Sequence, residues 1–487
     1  MSDVRRLVRN ASFLFVGSAI ADAGAFGFRL LVANEFGASE FGLYSVSLMT
    51  VSVLTSIALL GLPDGVISFG SRFRSKGQSD KVVGVLVASF VIIIPLSTLS
   101  SVFLWMGAPD LASIIFQNSD LVPILRKFTY SIPAKSIASL TGAFCLSYER
   151  AGLSSIIRQV FPKAGPFIAA VFVVLSGGGL VAIIEVYVIL LWVIAIGGLV
   201  VTYSIVKKEG FNRISTNFRS LLKFSTPLFI SGFIGFFLNW TDTLLVGYFM
   251  TSSDVGVYQA AFLLATSIAI FQRVISDSLY PNFGSLLAND EEAMLRERYR
   301  SGVEWVVVLT AAPCLFLILF SRTSLLMLFG TDFGSGWCAL IILLLAQFAA
   351  VSIGPATNLL KIMGFSRYIL GSYIVAVFAN TILNVFLIPR YGLLGAGIAT
   401  SVGILFSNIP HFVLAKHKAG ITLPYMKLGS VVFIAATVSI SMRILLDKPE
   451  TILSFILFIS VFSMIYTALL IMSGIVNVSD LARLSPV

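Results

Sequence analysis

The chain has 487 residues, of which 57% are hydrophobic and 11% charged, and a formal net charge of +10. A soluble domain is about 25% charged, so this chain has too little polar surface to live in water and reads as an integral membrane protein. Its Lys and Arg form no block interleaved with aromatics, which argues against nucleic acid, and Cys145, Cys314 and Cys338 have neither metal nor disulfide spacing.

A helix needs about 20 apolar residues to cross a bilayer, and the long apolar runs lack the alternation of barrel strands. The runs predict an all-α membrane protein of about fourteen spans: 10–33, 41–62, 82–107, 122–146, 154–175, 180–205, 224–249, 255–285, 303–328, 337–360, 368–388, 393–415, 425–446 and 452–474. Charge supports the alternation. With the N-terminus inside, the inner segments hold Arg5, Arg6, Arg9, then Arg72, Arg74, Lys76, then Lys207, Lys208, Arg213, then Lys361, Arg367 and later Lys416, Lys418, Lys427. The outer loops hold Arg390 and Lys448 with acids such as Glu35, Asp110, Asp254 and Asp332. The positive-inside rule therefore predicts a multi-pass protein of the cytoplasmic membrane with both termini in the cytoplasm.

The first span, behind a basic start, also has the look of a signal peptide. An internal repeat argues for a helix that stays. "RNASFLFVGSAIA" (9–21) lies over "KFSTPLFISGFIG" (223–235), and the same register pairs Gly42 with Gly256, Tyr44 with Tyr258, and the "FGS" at 69–71 with that at 283–285. "GGLVAIIEVYVIL" (178–190) is similar, more loosely, to "YGLLGAGIATSVG" (391–403). Two copies of six helices starting on one side are parallel repeats. The expected organisation is an N-lobe at 1–206, a basic linker at 207–223, a C-lobe at 224–418, and two further helices with a tail at 419–487.

Ionisable residues inside a membrane are costly and turn toward a cavity or a partner. In the first copy these are Asp22 and Arg29, Lys135, Arg158 and Lys163, and Glu185; in the second, Asp242, Arg273 and Asp277. Asp22 and Arg29 are seven apart and share a face. Gln259, Thr266 and Arg273 follow at heptad spacing. Arg158 and Lys163 stand in an acid-free stretch broken by Pro162 and Pro166, and their bland reading is snorkelling to headgroups. Asp22–Arg29 and Arg273–Asp277 are alternatively simple ion pairs. Cations outnumber acids in the first copy, so Arg29, Lys135, Arg158, Lys163, Arg273 and Asp22 are the candidate lining of a cavity for an anionic headgroup. There is no P-loop, and no catalytic motif lies in a loop, so no enzyme is expected.

The repeat, the two extra helices and "NTILNVFLIPRYGLLGAGIATSVG" (380–403) resemble the polysaccharide transporter flippases of the multidrug/oligosaccharidyl-lipid/polysaccharide exporter superfamily. "GASEFGLYSVSLM" (37–49) and "LLKFSTPLFISGF" (221–233) are similar to that family's first outer loop with helix 2, and to its start of helix 7. The resemblance implies V-shaped two-lobed bundles that move polyprenyl-linked glycans by alternating access. The implied partners are an anionic lipid-linked glycan, membrane lipids and other glycan-assembly proteins. No cofactor is implied beyond possible coupling to Na+ or H+. A sodium-coupled branch places its ion ligands where this chain has Asp242, Asn380, Asn384 and Thr400, although Asn384 stands where that branch has an acid. A multidrug exporter of the same superfamily is the alternative, and a membrane-embedded glycan polymerase or transferase is the alternative of another class.

Overall fold

A computed structural model describes residues 2–209, 218–445 and 451–475. The chain is all-helical among these residues and divides into two compact units, Met1–Gly256 and Val257–Val487.

The first unit begins with α1 (Ser2–Leu59), which holds the first two expected spans. They are separated at Gly37, whose φ of 76° and ψ of −176° is open to glycine and strained for any residue with a Cβ. Then come α2 (Leu62–Ser75), α3 (Ser79–Asp110), α4 (Leu121–Thr129) and α5 (Ser131–Ser147). The fifth expected span is α6 (Ala151–Ser155), a π-helical turn at Ile156–Val160, and α7 (Phe161–Leu175). The unit continues with α8 (Leu180–Glu209) and α9 (Phe218–Phe249).

Small residues let α1 and α7 touch. A Cβ on Gly24 would fall 2.4 Å from the Ala164 Cβ and 2.8 Å from its Cα, and one on Gly17 would overlap Ser155. With no hydrophobic effect acting between helices in lipid, such close backbone approach is what membrane helices pack by. The repeat-matched Gly42 and Gly256 also meet inside this unit. A Cβ on Gly256 would sit 2.0 Å from the Ala38 carbonyl oxygen.

The second unit holds most of α10 (Ser252–Ser267), then α11 (Ala269–Ala288), α12 (Glu292–Leu319), α13 (Ser321–Phe329), a 3-10 turn at Thr331–Gly336, α14 (Trp337–Ser352) and α15 (Ala356–Ile362). It ends with α16 (Ser366–Tyr391), α17 (Leu393–Ala419), α18 (Tyr425–Leu445) and α19 (Ile452–Met472). Its core joins Val303, Val307 and Ala311 of α12 to Val431, Ala435 and Val438 of α18. Phe316 packs against Phe455, Phe458 and Phe462 of α19 with ring centroids 5.2–6.0 Å apart. The two helices beyond the repeat are thus built into the second unit through α12.

Twelve helical stretches among the described residues are long and apolar enough to cross a bilayer, against the fourteen expected. The differences are local. Val16–Ser75 is one stretch that contains the turn at Gly37. The span expected at 122–146 is broken at Tyr130 into two shorter helices.

The contact boundary falls at Gly256, later than the linker expected at 207–223, because α9 packs on the first unit. The Ser225 carbonyl lies against Gly61, and the Phe116 ring against Gly247. Residues 210–217 of that linker, and 476–487 of the tail, lie outside the described residues.

Candidate functional site

Lys163 stands at the start of α7, where the acid-free sequence left it without a partner. The fold supplies one from α1. Its Nζ lies 2.7 Å from Asp22 Oδ1, and the two side chains remain 48% and 30% exposed. The pair sits directly beside the Gly24–Ala164 contact, so the close helix crossing sets its geometry.

Arg158 goes elsewhere. It lies in the π-turn at Ile156–Val160, which adds a residue between it and Lys163 and changes their relative rotation. Its stem runs over Gly142 of α5, and its Nη2 is 4.0 Å from Asp64 Oδ1 on α2. Arg158 and Lys163 therefore answer to different acids. Glu185, on α8, pairs with Lys127 of α4 at 2.6 Å.

Two further cations of the first unit lie near aromatic rings. Lys135 Nζ sits 5.6 Å from the Tyr187 ring centroid and 5.9 Å from that of Phe128, and the negative ring faces attract it. Arg29, half-buried, lies in the electrostatic field of Tyr44 and Asp22. The same rings join the two cations. Phe28 packs on Tyr44 at 4.8 Å, Tyr44 on Phe128 at 5.9 Å, and Phe128 on Tyr187 at 6.4 Å. Among the described residues, neither Arg29 nor Lys135 has a carboxylate oxygen within 4.0 Å.

Tyr187 has a second contact. Its hydroxyl donates to the Pro162 carbonyl at 2.8 Å. In a regular helix that carbonyl accepts from the N–H four residues on, but position 166 is proline and has none. The tyrosine supplies the missing donor and fixes its own ring under Lys135. The sequence held the clue: a proline inside a span leaves the carbonyl four residues earlier open. Asp64, Tyr44, Phe128 and Tyr187 are site residues that sequence reasoning missed.

The structure thus joins Asp22 to Lys163, sets Lys135 on the Phe128 and Tyr187 rings and Arg29 in the field of Tyr44 and Asp22, and puts Arg158 on a separate pair. Arg273 lies on α11 in the second unit, exposed, as is Asp277 one turn on. On α9, in the first unit, Asp242 is 1% exposed. Asn380 and Asn384 of α16 and Thr400 of α17, in the second unit, are buried. Thr400 donates to the Ala396 carbonyl at 2.9 Å, so the Tyr258 hydroxyl 2.6 Å away is the donor to it.

A second buried polar knot was not foreseen. His411 of α17 lies between Thr357 of α15, 2.9 Å from Nδ1, and Ser372 of α16, 2.5 Å from Nε2. Ser372 already donates to the Ile369 carbonyl, so it accepts from Nε2–H, and Thr357 donates to Nδ1. Both ring nitrogens are satisfied in the neutral form.

The second unit also carries an apolar cavity of about 630 Å³ between α12 and α19, lined by Leu264, Phe271, Pro313, Phe316, Phe462 and Ile471 among others. Leu309, Ile459 and Ile471 on its margin are exposed, so it opens sideways.

Residues 7–287 match the model of the polysaccharide biosynthesis protein family. The chain belongs to that family. It is 26% identical over 286 residues to the probable low-salt glycan biosynthesis flippase Agl15 of Haloferax volcanii, covering 56% of this chain and 57% of that one. It is 30% identical over 192 residues to the probable flippase AglR of the same organism, covering 38% of this chain and 39% of the relative. The chain thus matches little more than half the length of the first relative and less of the second. In fold it is similar to the lipid II flippase MurJ in an inward closed conformation, with a TM-score of 0.70, 15% identity, and coverage of 95% of this chain and 99% of that one. The all-helical, multi-pass architecture expected from the sequence is the one found, with twelve candidate spans among the described residues.

Proposed function

We propose that this chain is a flippase that carries an anionic, polyprenyl-phosphate-linked oligosaccharide across the cytoplasmic membrane by alternating access, for assembly of a surface polysaccharide or glycoprotein glycan. The observation that carries the reading is Lys135, held over the Phe128 and Tyr187 rings with no carboxylate within 4.0 Å among the described residues, in a family of polysaccharide biosynthesis proteins. An ammonium kept in a membrane without a counter-ion is costly. A phosphate repays that cost when it arrives. Lys163, Arg158 and the exposed Arg273 are further candidate headgroup contacts. The sideways-opening apolar cavity offers a bay for hydrocarbon. The name of one relative, a probable glycan biosynthesis flippase, supports the class of cargo, and that of the second supports flipping.

Coupling is part of the same proposal. Asp242 is the carboxylate of α9 that binds a sodium ion or a proton, and a buried carboxylate demands some such compensation. Asn380, Asn384 and Thr400 form a separate set of neutral oxygens in the second unit. Both termini face the cytoplasm, as the Lys and Arg asymmetry requires.

The test is flipping in proteoliposomes. A fluorescent sugar on a short polyprenyl pyrophosphate is scored by a membrane-impermeant quencher, with and without imposed sodium or proton gradients. We expect protein-dependent exchange between leaflets, reduced at least tenfold by Lys135→Gln and made indifferent to the gradients by Asp242→Asn. Exchange no faster than in empty liposomes, alongside export of a cationic dye, would replace this reading with a multidrug exporter.

A further inference from the structure

We propose that Asp22 is an intramolecular stand-in for the substrate's phosphate: in the empty carrier it neutralises Lys163, and the arriving anionic headgroup displaces it. This inference rests on the flippase reading above.

Three features distinguish this pair from a simple structural bridge. The first is accessibility. The carboxylate and the ammonium are 2.7 Å apart, yet both keep a substantial exposed fraction, so a ligand can reach Lys163 without unpacking the helices. The second is that the helix crossing does not depend on the pair. Gly24 lies on Ala164 of α7 and Gly17 on Ser155 of α6, and these close contacts hold α1 to the α6–α7 span on either side of the charges. The third is the company the pair keeps. Arg29, on the Asp22 face of α1, has no carboxylate within 4.0 Å among the described residues. Lys135 is held over the Phe128 and Tyr187 rings, with no carboxylate within 4.0 Å among the described residues.

The physical need follows from the transport cycle. A carrier that releases an anion must return empty, and an uncompensated lysine inside the membrane makes that return slow. Asp22 supplies the missing charge. It is also replaceable, because a single carboxylate competes poorly with a pyrophosphate, which brings more negative charge and more acceptor oxygens for charge-assisted hydrogen bonds. Exchange of one anion for another keeps Lys163 paired in both halves of the cycle. The substrate's net affinity is therefore lowered by the competition, in return for a faster empty step.

The experiment uses the full chain in nanodiscs, with farnesyl pyrophosphate and inorganic pyrophosphate as probes, and pairs binding with the flipping assay. Asp22→Asn is expected to bind farnesyl pyrophosphate at least fivefold tighter than the parent chain. Its flipping should show KM and kcat falling together, because binding gains while return slows. Asp22→Ser carries the same expectation with a different side chain. Lys163→Gln should lose at least tenfold in affinity, and adding Asp22→Asn to it should change affinity less than twofold. If the parent chain binds and Lys163→Gln does not, but neither Asp22 variant tightens binding, the stand-in is wrong while the flippase reading holds. If the parent chain binds neither probe, or prefers inorganic pyrophosphate to the lipid, the flippase reading fails and takes the stand-in with it.

Discussion

The Tyr187–Pro162 hydrogen bond makes a quantitative prediction. Pro166 removes the donor that the Pro162 carbonyl requires, and the Tyr187 hydroxyl replaces it at 2.8 Å. Tyr187→Phe deletes this donor and keeps the ring. A buried carbonyl left without a partner costs about 1–3 kcal/mol. In a Pro166→Ala background the backbone N–H of residue 166 is restored and takes the carbonyl itself, so Tyr187→Phe should there cost no more than the hydroxyl's weaker contacts. The expected coupling between the two substitutions is about 1–2 kcal/mol, within the range for directly interacting groups. The assay is a double-mutant cycle on the equilibrium unfolding of the four proteins in mixed micelles titrated with SDS. Flipping supplies the control: in Tyr187→Phe an aromatic ring still lies under Lys135, so activity of the folded fraction should stay within about twofold, a difference below roughly 0.5 kcal/mol. Additive effects, within about 0.3–0.5 kcal/mol, would refute the claim that the tyrosine stands in for a proline's missing donor.

Other predictions concern packing and topology. Gly24→Ala puts a methyl 2.4 Å from the Ala164 Cβ, against an ordinary carbon contact of about 3.5–4.0 Å, so α1 and α7 must part by about 1 Å and stability should fall by about 1–3 kcal/mol. Gly107→Ala, whose Cβ would meet nothing within 4 Å, is the matched control, and equal melting of the two would remove close packing as the reason for Gly24. Cysteines placed at Ser39 and Ser75, both exposed, should react with impermeant maleimide from opposite sides of intact cells; labelling of both from outside would overturn the proposed orientation.

Helix positions were legible in the sequence because a chain in lipid must satisfy its backbone as a helix or a closed barrel, and a long apolar run without barrel alternation leaves only the helix. The turn at Gly37 sat between two expected spans, and α18 and α19 stood where apolar runs put them. What the sequence did not reveal was pairing across helices. Asp22 looked like a partner for Arg29 because the two share a face at heptad spacing, yet its oxygen lies against Lys163, 141 residues away. Spacing along one helix carries no information about which neighbour a face will meet. The separation of Arg158 from Lys163 was hidden for another reason. A five-residue offset can be converted to an angle only on an ideal helix, and the π-turn at Ile156–Val160 changes that angle. The burial of His411 between Thr357 and Ser372 depends on where α15 and α16 come to lie, which the sequence around it does not carry.

A common logic connects two interruptions of these spans. Where a membrane helix breaks, its released carbonyls face a solvent that cannot bind them. At both places side chains from neighbouring helices take them. The Tyr187 hydroxyl serves Pro162 in the first unit. In the second, α14 stops at Ser352 and α15 begins at Ala356, with Gly354 at φ 79° between them. The Tyr299 hydroxyl of α12 donates to the Ile353 carbonyl at 2.5 Å, and the Gln272 amide of α11 to that of Gly354 at 3.0 Å. Thr357, in the first turn after the break, is held by His411 of α17. Three neighbouring helices thus converge on one interruption, and each brings a polar group that an apolar span would otherwise exclude. Their presence in the core is accounted for by the break itself: it bends the span at a fixed point, and each neighbour's hydroxyl, amide or imidazole keeps the irregular backbone buried in protein rather than exposed to lipid.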